Sequence, residues 1–162
     1  MSEDDKYSIK KLCSSCTHQQ CCTGFDAPIV FPEDRARLEQ NDKATSEYLE
    51  DVIIVGTKLE QIRKKPTGEC VFWNNKCEIY DYRPFDCRIF PFDIDYIDGE
   101  FYWIVYSCNK DSDWHWAEEH LRHLEQDPMW QGRKEYLMIF NEAPYSYPEK
   151  VPYTVLRKVN FQ

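Results

Sequence analysis

The sequence predicts an α+β fold, a small mixed arrangement of short β-hairpins and helices organised around a cysteine cluster, with further helices at the C-terminal end. Three observations predict it. Helix-start signals and helical apolar spacing recur along the chain, with no internal repeat. Asp98-Gly99, set between two alternating segments, marks a hairpin with a type I′ turn. Eight cysteines are gathered in two blocks, Cys13, Cys16, Cys21 and Cys22, then Cys70, Cys77, Cys87 and Cys108, and none follows Cys108.

In chain order, Phe31-Pro32-Glu33-Asp34 opens a helix, with proline at its first position and acids facing the dipole. Residues 47–65 carry a second helical pattern with Leu49, Ile53, Leu59 and Ile62 on one face, although Val52-Ile53-Ile54-Val55 also fits a strand. Pro66-Thr67-Gly68 ends it. Cys70 to Trp73 and Cys77 to Tyr80 form a short hairpin around Asn74-Asn75-Lys76. Arg83-Pro84 opens a turn or one short helix that carries Cys87. The Asp98-Gly99 hairpin joins residues 93–97 to residues 100–107. Asp111-Ser112-Asp113 offers N-caps for a helix running to about Gln126, closed by Asp127-Pro128. A last helical pattern covers residues 129–140. The tail from Ala143, punctuated by Pro144, Pro148 and Pro152, is expected to wrap over the surface.

The 162 residues carry 20 Lys+Arg against 29 Asp+Glu, a formal net charge of −9. No positive field draws in phosphates or an anionic membrane, so nucleic acid and membrane partners are not expected. Hydrophobic residues at 42% and aromatics at 15% are enough for a folded core. The first residues are acidic and polar, without the basic and apolar regions of a secretory signal, and the longest apolar run, Val52 to Val55, is far too short to span a bilayer. A cytoplasmic location is therefore expected. In that reducing compartment clustered thiols more often bind metal or do redox chemistry than form disulfides. Ligand cysteines are deprotonated, which makes a loaded protein more acidic still.

Thiolates are soft ligands suited to zinc or iron–sulfur iron. Cys13-x2-Cys16 can turn both sulfurs toward one centre, whereas the vicinal Cys21-Cys22 pair reaches one ion only if the backbone turns sharply. The second block lacks the second C-x2-C knuckle of a zinc ribbon, and the first differs from the bacterial ferredoxin run. Buried free thiols explain scattered cysteines but not C-x2-C-x4-CC.

The order Cys13-x2-Cys16-x4-Cys21-Cys22, Cys70, then Cys77-Glu78-Ile79-Tyr80-x2-Arg83-Pro84-x2-Cys87-Arg88-x-Phe90-Pro91, and Cys108 resembles the CxxCxxCC (YkgJ-type) cysteine-cluster family, a zinc- or iron-chelating domain. The resemblance spans about Cys13 to Cys108. It departs in one spacing, because four residues separate Cys16 from the vicinal pair. The resemblance implies that all eight cysteines are metal ligands. It is shared with the cysteine domain of flagellin N-methylases, lysine-methylating proteins thought to use an iron–sulfur cluster. It therefore implies an iron–sulfur cluster, with zinc as the alternative, and redox or methyl-transfer chemistry on a protein substrate. A structural zinc module that binds a protein partner without catalysis is the competing expectation. No catalytic residue is identified.

Within the motif, Arg83 and Arg88 flank Cys87 and offer positive charge and hydrogen bonds to a thiolate site, as Tyr80 does through its hydroxyl. The competing reading pairs Arg83 with a surface carboxylate such as Asp81 or Asp86. His18 lies inside the first knuckle and reads as a loop residue. His120 and His123, three apart on a predicted helix with His115 nearby, read as part of a solvated face in the absence of H-E-x-x-H. The tryptophans read as core. Neither a phosphate-binding glycine loop nor a G-x-S-x-G elbow is present. The expected organisation is a cysteine-cluster metal-binding domain over residues 1–112 and a helical extension over residues 113–162 packed on it.

Overall fold

The computed structural model describes residues 27–41, 45–106, 114, 117–127, 130, 133–142 and 153–161. The fold is α+β, as expected, and is built on two three-stranded antiparallel sheets. The first has the order β1-β3-β2, from β1 (Ile29–Val30), β2 (Leu49–Ile54) and β3 (Thr57–Ile62). The second has the order β4-β5-β6, from β4 (Phe92–Ile97), β5 (Glu100–Tyr106) and β6 (Tyr153–Lys158). The helices are α1 (Pro32–Asn41), α2 (Thr45–Tyr48), α3 (Phe85–Ile89), α4 (Ala117–Gln126) and α5 (Arg133–Glu142). No helix among the described residues is long and apolar enough to cross a membrane.

The proline start of α1 falls where the sequence places it, and Asp34 in its first turn accepts a hydrogen bond from Phe31 N at 3.2 Å. That is the return half of a capping box. The helix expected over residues 47–65 is instead α2 followed by the β2–β3 hairpin. Leu49 and Ile62, which share a helical face on paper, are directly opposed across the two strands, and both are buried. Ile53, from the same supposed face, is exposed. The β-branched run favours the strand, and positive φ at Val55 (47°) and Gly56 (77°) closes the tight turn.

The hairpin expected over residues 70–80 is reduced to a single bridge, Trp73 to Cys77, around a loop in which Asn75 is left-handed. Asp98-Gly99 does close β4 onto β5, with both residues at positive φ. α4 ends at Gln126 as predicted, whereas the N-cap candidates 111–113 lie outside the described residues. α5 starts later than the sequence pattern suggests, and Trp130 precedes it in a turn donating from its backbone N to Asp127 O at 2.7 Å. The tail expected to wrap over the surface supplies β6 instead, so residues 113–162 contribute a strand as well as helices. One residue of β6, Leu156, is extra against β5, a bulge opposite Trp103 and Ile104.

Among the described residues, two apolar clusters form the core. One joins Val30, Leu38, Leu49, Ile62, Phe72 and Ile79 beside the first sheet. The other joins the second sheet to α3 and α4 through Phe85, Ile89, Phe92, Trp103, Leu121 and Trp130. Trp130 stacks between Trp103 (centroids 5.3 Å apart) and Phe161 (5.5 Å), which makes both tryptophans core residues. β6 is locked to α4 by buried Glu125, whose carboxylate accepts from Trp103 Nε1 (2.9 Å), Asn160 N (2.8 Å) and both terminal nitrogens of Arg157 (2.8 and 3.0 Å). α5 docks through Arg133, a buried guanidinium lying 3.5 Å from the centre of the Phe31 ring at the start of α1.

Candidate metal centre

Cys70 is set by the chain leaving β3. Gly68, at φ 90°, completes a turn whose backbone N donates to Lys65 O at 2.8 Å, and the returning strand pairs Cys70 with Lys64. The result is a buried Cys70 against the end of β3. Trp73 links it to Cys77, donating from its backbone N to Cys70 O at 2.9 Å and bridging Cys77 across the Asn74–Lys76 loop. Cys70 belongs to the first apolar cluster, and half-buried Cys77 packs against the same cluster. These two sequence-predicted ligands are therefore brought together in one apolar environment.

Cys87 is positioned differently. It lies in the middle of α3, a helix of little more than one turn that begins after the extended Pro84 (φ −54°, ψ 156°). So short a helix needs outside support. Asp34 of α1 supplies it: its second oxygen accepts from Phe85 N at 2.9 Å, capping α3 from another element. Arg37 ties the same two regions together, donating to Asp34 (3.0 Å) and to Arg83 O (2.9 Å). Burial pushes the Asp34 carboxyl above its ordinary range, opposed by the two N–H groups and by Arg37. Asp86, next to Cys87, accepts from Ile29 N at 2.9 Å and so fastens α3 to the first residue of β1. Desolvation pushes Asp86 up to about 7, opposed by that N–H and reinforced by Asp93 and Asp34.

The flanking motif residues find partners within the fold. Arg83 lies 3.8 Å over the Tyr80 ring and donates to Tyr80 O. It stiffens the 3-10 turn Tyr80–Tyr82 that leads from Cys77 to Cys87. Arg88 pairs with Asp127, after α4, at 2.6 Å. His120 of α4 lies against Phe92, with ring centroids 5.6 Å apart, while His123 is exposed. Desolvation lowers His120 to about 4, with His123, Arg83 and Arg88 adding to the effect. Two basic groups of the Cys87 turn thus act electrostatically on α4.

Cys13, Cys16, Cys21, Cys22 and Cys108 lie outside the described residues, as do His18 and His115. Among the described residues no three of His, Cys, Asp and Glu converge in a way that could hold a metal ion. The donor set nevertheless fits a soft metal. Cys70, Cys77 and Cys87 offer thiol sulfur, and the carboxylates that hold the Cys87 helix are engaged elsewhere, Asp34 with N–H groups and Arg37, and Asp86 with the Ile29 N–H. Sequence reasoning missed Asp34, Arg37 and Asp86 as the residues that hold the Cys87 turn. Acid in the first turn of α1 was a visible signal for the bond within α1, but the bond to Phe85, 51 residues away, left none.

The family model CxxCxxCC, described as "Putative zinc- or iron-chelating domain", matches residues 12–109, a span that contains all eight cysteines. No curated protein and no solved structure matches the chain. With well over half of its residues matched, the chain belongs to the CxxCxxCC family of zinc- or iron-chelating domains.

Proposed function

We propose that the chain holds an iron–sulfur cluster, or iron, through the framework Cys13, Cys16, Cys21, Cys22, Cys70, Cys77, Cys87 and Cys108. The observation that carries this reading is the anchoring of α3 to β1 by Ile29 N and Asp86. Cys22 precedes Ile29 by only seven residues in the sequence, and Ile29 is the residue bonded to the helix that carries Cys87. The same end of the first sheet receives the chain that returns to Cys70, where Ile62 N donates to Pro28 O at 3.1 Å and Val71 N to Arg63 O at 3.1 Å. Cys108 follows the end of β5 by two residues, and Tyr106 N there donates to Pro91 O at 2.9 Å, four residues beyond Cys87. Ile29, the start of β1 after the first block, and Tyr106, the last residue of β5 before Cys108, are thus each hydrogen-bonded to α3 or the segment just after it. Neither block has the spacing of a self-contained four-ligand zinc site, which favours a shared cluster.

When bound, such a cluster supplies electron-transfer chemistry. The chain's own part is to bury Cys70 and half-bury Cys77 against the cluster that holds Phe72, Ile79 and Trp73, and to hold Cys87 at a fixed place through Asp34 and Arg37. The resemblance to the cysteine domain of flagellin N-methylases supports redox or methyl-transfer chemistry on a protein substrate as the role. Anaerobic purification followed by iron, zinc and acid-labile sulfide analysis tests the reading. A brown protein with iron and sulfide in comparable amounts is expected. A colourless protein carrying stoichiometric zinc without sulfide would replace it with the structural zinc module.

A further inference from the structure

We infer that the outer edge of β2 in one copy of this chain pairs antiparallel with the outer edge of β6 in a second copy. Both strands terminate their sheets among the described residues. Edge strands with exposed apolar side chains are templates for further pairing. The large exposed apolar side chains among the described residues are Ile53 (73%), Val55 (50%), Met138, Tyr153 (47%) and Val155 (45%). All but Met138 lie on these two strands or at the tip of the β2–β3 hairpin.

The sequences fit each other in one antiparallel register. Val155 placed opposite Ile53 brings Tyr153 beside Val55, two residues along each chain. In the other direction the β6 bulge decides the match. Leu156 is the extra residue there, and it and Arg157 turn toward the core, Arg157 reaching Glu125. Counting the bulged pair as one position, the next exposed residue of β6 is Lys158, and it falls opposite Asp51. Both are well exposed, with surface ion pairs of their own to Glu100 and Lys58, so each can exchange or share its partner. One edge is thus acid–apolar–apolar, and the other is base–apolar–apolar in the matching order. Neither edge complements itself: two β2 strands centred on Ile53 bring Asp51 against Val55, and two β6 strands centred on Val155 bring Tyr153 against the bulge. The contact is heterologous, using different surfaces of the two copies. It involves no cysteine and is independent of the metal reading.

The experiment is sedimentation equilibrium of the full metal-loaded chain in physiological salt under reducing conditions, over a series of concentrations. The average mass is expected to rise above that of one chain with concentration. Ile53→Lys alone and Val155→Asp alone each weaken association by about tenfold or more, since each sets a charge against an apolar partner. The double variant recovers most of the loss, because the two new charges then face each other across the contact. That recovery also shows that neither single change acted by misfolding. A chain that stays monomeric at every concentration overturns the inference. So does association that responds to only one of the two substitutions, the sign of β2–β2 or β6–β6 pairing, or a double variant no better than the singles.

Discussion

Asp34 is the residue on which the placement of Cys87 depends most. It is fully buried, yet it accepts from the backbone of two different helices and from Arg37. Truncation to alanine orphans two buried N–H groups and takes the charged acceptor from Arg37, whose terminal nitrogen keeps only Arg83 O. Asp34→Ala is therefore expected to destabilise the loaded protein by about 3 kcal/mol or more. It is also expected to lower the metal retained on dialysis against a chelator, whereas Asp34→Asn, which keeps one acceptor, loses less of both. Unfolding midpoints and metal content on the same samples check this. His120 gives a prediction in pH. Its imidazole is held near 4 in the folded chain against an ordinary 6.5, so the unfolded state takes up a proton first as pH falls. Its contribution to stability is complete above about 6.5 and is lost progressively toward 4. His120→Phe, which cannot be protonated, is expected to show a shallower fall in stability than the parent chain across that interval in parallel denaturation series.

Two elements show how local sequence and tertiary packing divide the work. The β2–β3 turn puts Val55 at φ 47°, a left-handed conformation that a β-branched side chain adopts only under strain. An Asn-Gly pair is the preferred type I′ turn, and Val55 is exposed, so Val55→Asn is expected to stabilise the fold by about 1 kcal/mol. Thermal unfolding at low protein concentration, where any self-association is minimal, measures it. β6 depends instead on distant groups. Burial pushes the Glu125 carboxyl up, but Arg157, the Asn160 N–H and the Trp103 N–H outweigh it and hold it below its ordinary range. Glu125→Ala leaves those donors without their acceptor, at a cost of about 3 kcal/mol. Backbone amides of β6 are expected to exchange hydrogen faster than those of β2 in that variant, as measured by mass spectrometry.

These elements also show what the sequence makes legible. The Asp98-Gly99 hairpin, the proline start of α1 and the short helix bearing Cys87 can be read because a turn dipeptide or a fixed φ announces each. The β2–β3 hairpin is misread because Leu49 and Ile62 satisfy helical spacing while being a cross-strand pair. β6 escapes notice because its reason for pairing is the buried Trp103–Glu125–Arg157 network, which joins residues far apart in the chain.

At the scale of the described fold, α3 joins the two sheets, packing through Phe85 and Ile89 into the cluster of the second and bonding to the first through Asp86 and Ile29. Its ends are fixed by the Asp34 cap of Phe85 and by Arg88 pairing with Asp127. Family membership could be read from cysteine spacing and the Cys77–Pro91 run, because thiolate chemistry restricts which residues can serve. The supports of the site could not, since Asp34 and Arg37 act through contacts some fifty residues away. The central claim is that the cysteines jointly ligate an iron–sulfur cluster, and X-ray absorption at the iron and zinc edges of the anaerobically purified chain tests it most directly. Iron with a sulfur first shell and a neighbouring iron atom is expected. Iron in a nitrogen and oxygen shell, or zinc alone with four sulfurs and no metal neighbour, would contradict it.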